Sequence, residues 1–329
     1  MRKINIVFLL LISLSFIVPL LIFDRMHFLG IASRNWHDPN TRFDSEIGWS
    51  PIPNRHVNQA WGDISSNSLG FRSEEIDQSK KQIIILGDSV AWGFGVGDKE
   101  TMPYYLNYKL EPFDYQVSNL AVSGYSIDQY YIYLKRHIGK FKKLKYVILI
   151  IYTGNDFNET IRNVAYGKRK PLFVMRGKQL VLTNVPISRF DLRNLFSTSR
   201  ILTILSSKSW RINKFFNSIA RQRVLDASVG QDVVSLLLEK IYETVSEHNA
   251  KLVVVISPSK RDFNEKTNDL LWFQDFFLKR NSRYFCIDYF TILGGYPNDL
   301  DRIYIDKGHF SNFGNELLAE NIIKNVDFK

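Results

Sequence analysis

The run Tyr146-Val147-Ile148-Leu149-Ile150-Ile151-Tyr152 constrains this chain more than any other stretch. It is continuously apolar, rich in β-branched residues, and far too short to span a bilayer. Such a segment is a strand covered on both faces, and both faces are covered mainly in parallel sheets flanked by helices. Similar short runs recur. Ile83 to Leu86 ends in Gly87, Val117 to Val122 leads to Gly124, Leu252 to Ile256 forms a fourth run, and Tyr284 to Ile287 a fifth. Segments of helical spacing lie between and after them at Met102 to Leu110, Ile127 to Ile138, Val233 to His248, Leu270 to Lys279 and Asn312 to Val326. Strands alternating with helices predict an α/β domain, a three-layer sandwich around a five-stranded parallel sheet of flavodoxin-like order 2-1-3-4-5.

The remaining segments set the organisation. Arg2 and Lys3 precede Ile4 to Phe23, a stretch without charge. About 20 apolar residues are enough for a membrane-spanning helix. That length favours an uncleaved anchor over a signal peptide, whose apolar core is roughly 7–15 residues. Gly30-Ile31-Ala32 is the one candidate cleavage site, and a cleaved chain would be secreted. The flanking positive charges keep the N-terminus cytoplasmic and place the rest outside, periplasmic or at the cell surface. Residues 1–25 are thus expected to be the anchor, 26–80 a linker with a small appended element, and 81–329 the α/β domain. An insertion at 164–223 is expected to cap the site. Its first part, Pro171 to Val185, reads as a hairpin turning at Arg176-Gly177-Lys178, and Leu192 to Arg223 as an amphipathic helix.

The formal charge is +10. The Lys and Arg residues are scattered, with one tight run at Lys140 to Lys145, so no nucleic-acid partner is expected. The single cysteine, Cys286, lies in an apolar run and excludes an intrachain disulfide and any C-x-x-C site. His27, His37, His56, His137 and His248 are not at metal-ligand spacing with Cys or carboxylates, and no metal is expected. Gly93-Phe94-Gly95-Val96-Gly97 lacks the spacing and position of a dinucleotide loop.

Chemistry concentrates at strand ends, where ligands bind in open α/β sheets. Gly87-Asp88-Ser89 follows the first strand, and a serine on that turn can expose its hydroxyl. A serine is hardly ionised at neutral pH and needs a base, usually histidine, with a carboxylate to fix its tautomer. Asp306 and His309, three residues apart before the last helix, supply that pair. A tetrahedral intermediate also needs donors for its oxyanion. Asn119-Leu120-Ala121-Val122-Ser123-Gly124 offers a glycine N–H, and Thr153-Gly154-Asn155-Asp156 a side-chain amide. Trp92, three residues after Ser89, is a candidate lining of the acyl or sugar pocket, or a core aromatic.

Jointly, Gly-Asp-Ser, Gly124, Gly-Asn-Asp and Asp-x-x-His resemble the SGNH (GDSL-like) hydrolases, in order over about three quarters of the chain. The resemblance implies Ser89 as nucleophile, His309 as general base and Asp306 as its orienting partner. It implies an oxyanion hole of the Ser89 N–H, the Gly124 N–H and the Asn155 side chain, with no metal or organic cofactor. Val90 stands where the family name expects leucine, and Ala91 breaks the G-x-S-x-G elbow of α/β-hydrolases. Gly48-Trp49-Ser50-Pro51 and Asn67-Ser68-Leu69-Gly70-Phe71-Arg72 resemble a bacterial, often membrane-anchored subgroup. The function expected is an esterase acting on an O-acylated small molecule or envelope glycan. An O-acyltransferase using the same triad, and a non-catalytic glycan-binding or envelope-assembly protein, are the alternatives.

Overall fold

In the computed structural model, residues 39–187 and 223–328 are described, together with Ser15 and Val18. The expected anchor and the helix expected at Leu192 to Arg223 fall, but for Ser15, Val18 and Arg223, outside the described residues. Among the described residues, no helix is long and apolar enough to cross a membrane.

The chain begins with two antiparallel ribbons. β1 (Thr41–Asp44) pairs with β2 (Gly48–Pro51), and β3 (His56–Gln59) with β4 (Gly62–Ser65). They belong to the same compact unit as the sheet that follows. Ile47, Trp49 and Phe71, in and after the ribbons, are buried. The segment expected to be a linker and an appended element therefore contributes to the core.

β5 (Lys81–Leu86), β6 (Tyr115–Asn119), β7 (Leu144–Tyr152), β10 (Lys251–Ser257) and β11 (Phe285–Asp288) form the five-stranded sheet. All pairs are parallel and the spatial order is β6-β5-β7-β10-β11. Counted along the sheet strands alone, this is the expected 2-1-3-4-5. The hairpin of β8 (Leu172–Arg176) and β9 (Gln179–Thr183) turns at Gly177, as its sequence foretold.

Successive strand residues face opposite layers, and both sets are buried. Ile83, Ile85, Ile148, Ile150, Val253 and Val255 meet α2 (Met102–Leu110) and α9 (Asn312–Asn325) through Met102, Leu106, Leu318, Ala319 and Ile322. The alternate residues, Ile84, Val147, Leu149, Val254 and Ile256, are buried on the other side, where α3 (Ile127–His137) packs on α5 (Ala227–Glu247). The helices start where their caps dictate. The Thr101 hydroxyl accepts from the Tyr104 N–H at 3.2 Å and that of Ser311 from the Gly314 N–H at 3.1 Å.

Four of the five strands begin one or two residues before the apolar runs that foretold them, and two further differences have a visible cause. β6 ends at Asn119 rather than Val122, because the Asn119 side chain accepts the Ala121 N–H at 3.1 Å and turns the chain off the ladder. β11 runs one residue later than Tyr284 to Ile287, and as the edge strand it leaves Cys286 half-buried. Burial still pushes that thiol up to about 12.

Candidate active site

β5 and β6 lie at neighbouring positions in the sheet, and β7 flanks β5 on its other side. Their carboxyl ends therefore bring Gly87-Asp88-Ser89, Asn119 to Gly124 and Thr153 to Asn155 side by side. The nucleophile turn is tight: a Cβ on Gly87 would lie 2.5 Å from the Ala91 Cβ and 3.1 Å from the Ile150 carbonyl oxygen. Ser89 opens the one-turn helix α1 (Ser89–Trp92). Asp88 caps it by accepting the Val90 N–H at 2.8 Å. Burial pushes the Asp88 carboxyl up, while the Val90 N–H, the nearby His309 and a hydrogen bond from the Asn155 side chain pull it back. Asp88 thereby orients both the nucleophile turn and the asparagine amide, a role its place in the sequence did not announce.

His309 arrives from the other end of the chain. Its Nε2 lies 2.8 Å from the Ser89 Oγ. Its Nδ1 lies 2.7 Å from the Asp306 Oδ2. The other carboxylate oxygen accepts the Gly308 and His309 backbone N–H groups, each at 2.8 Å. Burial raises the Asp306 carboxyl, but these hydrogen bonds and the histidine outweigh it and hold it below the usual carboxylate range. An ionised Asp306 accepts a hydrogen bond from Nδ1–H and so keeps the proton on that nitrogen, which leaves Nε2 to accept from the serine. The loop is tied down by Lys260 N–H donating to Lys307 C=O at 2.8 Å and Ile305 N–H donating to His309 C=O at 2.9 Å.

The phenol of Tyr152 is wedged between two loops. A Cβ on Gly154 would lie 2.4 Å from its Cζ, and one on Gly308 only 1.9 Å from its Oη. Both glycines are needed for this approach of the asparagine and histidine loops. Gly124 takes φ +78°, a conformation glycine adopts without strain. Among the described residues its N–H donates to no protein acceptor.

The aromatics divide by exposure. Trp92 is 7% exposed, with Arg72 4.4 Å over its ring and Trp61 at 6.4 Å, which places it in the core. The ring beside the histidine is Phe94, 40% exposed, 4.6 Å from His309 and 5.6 Å from Trp61. Arg72 donates to the carbonyls of Trp92, Gly93 and Val96 at 3.1, 2.7 and 2.8 Å and pairs with Asp98 at 2.8 Å. It thus closes the loop behind the nucleophile. Phe94 was visible in the sequence only as part of the glycine-rich tract, and Arg72 only through the Asn-Ser-Leu-Gly-Phe-Arg block.

The doubly wound sheet brings Ser89, His309 and Asp306 into one hydrogen-bonded chain at the carboxyl edge of its strands. No family profile matches the chain, and no curated protein matches it in sequence. Among solved structures, the chain is similar to a member of the lipolytic G-D-S-L family from Veillonella parvula, at 13% identity and TM-score 0.44, covering 76% of this chain and 100% of that one. It is similar to a lipase from a goat rumen metagenome at 16% identity and TM-score 0.42, covering 74% and 97%. It is also similar to an acetyl-xylooligosaccharide esterase from Geobacillus at 10% identity and TM-score 0.44, covering 76% and 95%.

Proposed function

We propose that this chain is a serine esterase of the SGNH type that cleaves an O-acyl ester through an acyl-serine intermediate. The observation that carries this is the continuous relay from Asp306 through His309 to the Ser89 Oγ, at 2.7 and 2.8 Å. His309 Nε2 takes the hydroxyl proton as Oγ attacks the acyl carbon. The carbonyl oxygen becomes an oxyanion facing the Ser89 and Gly124 N–H groups and the Asn155 amide. Collapse expels the alcohol, which receives the proton from His309. Water, deprotonated by the same imidazole, then releases the acid and restores Ser89. Asp306 stays ionised and stabilises the imidazolium in both halves.

For the substrate we propose a short acyl group on a glycan outside the cytoplasm. Two features support this: the uncharged Ile4 to Phe23 segment after Arg2 and Lys3, which suits an anchor, and the exposed Phe94 ring beside His309, an aromatic face of the kind on which sugar rings stack.

The test is hydrolysis of a chromogenic acetate ester, with covalent labelling by a fluorophosphonate. Ser89→Ala is expected to lower kcat by about a thousandfold or more and to abolish labelling. Equal rates for the variant and the wild type would overturn the reading.

A further inference from the structure

The oxyanion argument depends on one peptide, Ser123–Gly124. A peptide unit is planar and trans, so the Ser123 C=O and the Gly124 N–H form one rigid plate and point in opposite directions. Fixing the carbonyl fixes the N–H. The Trp49 indole Nε1–H donates to the Ser123 carbonyl at 3.1 Å, across 74 residues of sequence. Trp49 is 2% exposed, and the carbonyl of the half-buried Ser123 meets it at the edge of the core.

Trp49 is itself held on several sides. The Tyr125 hydroxyl donates to the Trp49 carbonyl at 2.5 Å, and the two rings meet edge to face at 5.6 Å. The Gln129 side chain donates to the Ile47 carbonyl at 2.8 Å, two residues upstream. Between them, Gly48 takes φ +99°, and a Cβ there would lie 2.6 Å from the Arg169 carbonyl oxygen. The Gly48-Trp49 strand is thus pressed into the core beside the loop that carries Gly124.

We infer that Trp49 is a positioning residue for the oxyanion hole: its indole N–H pins and polarises the Ser123–Gly124 peptide so that the Gly124 N–H faces the acyl oxygen. This rests on the esterase reading above. Donation into a carbonyl makes the N–H of the same peptide a stronger donor, because hydrogen bonds in a chain reinforce one another. A preorganised donor of this kind acts on the transition state more than on the bound ester.

The test separates the N–H from the ring. Trp49→Phe keeps an aromatic in the pocket and removes the donor. Replacing the residue with benzothienylalanine keeps the indole shape and removes only the N–H, which covers the case in which the phenylalanine variant fails to fold. Both are compared with wild type in hydrolysis of the acetate ester and in binding of a trifluoromethyl ketone, which adds to Ser89 as an anionic hemiketal. The expected result is kcat lower by about tenfold, KM within about twofold, and ketone affinity lower in step with kcat. A benzothienylalanine variant that keeps kcat within about twofold, or loses kcat with ketone affinity unchanged, overturns the inference and leaves the esterase reading standing. A wild-type chain that neither hydrolyses the ester nor labels at Ser89 overturns both.

Discussion

Replacing Arg72 with methionine removes a buried cation while keeping most of the side-chain length. The carbonyls of Gly93 and Val96 lose their donor, that of Trp92 keeps only the Asn119 side-chain amide at 3.3 Å, and the Trp92 ring loses the guanidinium stacked on it. Each buried acceptor left unpaired costs about 1–3 kcal/mol, and the losses at Gly93 and Val96 are not additive because the two share one partner. The Arg72 side chain is 2% exposed, but that of Asp98 is 31% exposed, so the aspartate recovers much of its hydration when the pair is broken. No buried charge is stranded, so the orphaned carbonyls set the cost, about 2–4 kcal/mol. It is a large share of the roughly 5–15 kcal/mol that stabilises a typical domain. The carbonyls belong to the loop that carries Phe94 against His309, so kcat/KM for the acetate ester should fall as well. Urea unfolding measures the first effect and steady-state kinetics the second. Arg72→Lys should recover less than half of the stability, because one ammonium cannot span three carbonyls as a planar fork does. A methionine variant within about 1 kcal/mol of wild type would refute the assignment of this arginine as the clamp of the nucleophile loop.

The glycines and a buried histidine give two further tests. Gly308→Ala drives a methyl group into the Tyr152 phenol, displacing the base loop; kcat/KM is expected to fall by about tenfold or more, and Tyr152→Ala in the same chain to restore part of it. Wild-type kinetics for the single variant would remove the wedge argument. His137, packed between the rings of Phe71 and Tyr133, is lowered from 6.5 to about 4 by burial and by the charges of Arg136 and Lys140. The folded state keeps it neutral, so its contribution is intact above the unfolded value and is lost as pH falls from about 6.5 toward 4. Between pH 7 and 5 the loss is about 2 kcal/mol, and His137→Leu should show that much less acid destabilisation in urea titrations than wild type. Parallel pH curves for the two chains would rule it out.

Much of the fold was legible because its signals are local. Short, β-branched apolar runs bounded by turn residues read as covered strands, and helices begin at caps such as Thr101 and Ser311. The grouping of the candidate site residues was legible for the same reason: in a parallel sheet every strand delivers its following turn to one edge, so Ser89, Gly124 and Asn155 converge by topology. Asp306 and His309 meet within one turn. The end of β6 was misplaced because a single side chain, Asn119, competes with the ladder, and apolar patterning does not register that.

The sequence by itself determined the sheet, its order and the residue types at the crevice, since periodicity and turn chemistry act over a few residues. Only the tertiary structure decided how the crevice is held. Ser89 and His309 are 220 residues apart, and their 2.8 Å contact depends on how α9 and the loop before it pack against the sheet. Trp49 and Arg72 stood in the sequence as unassigned motif residues, and the wedge of Tyr152 between two glycines had no sequence counterpart. Such contacts are set by the approach of layers far apart in the chain, where close packing leaves room for one arrangement and local propensity has no say.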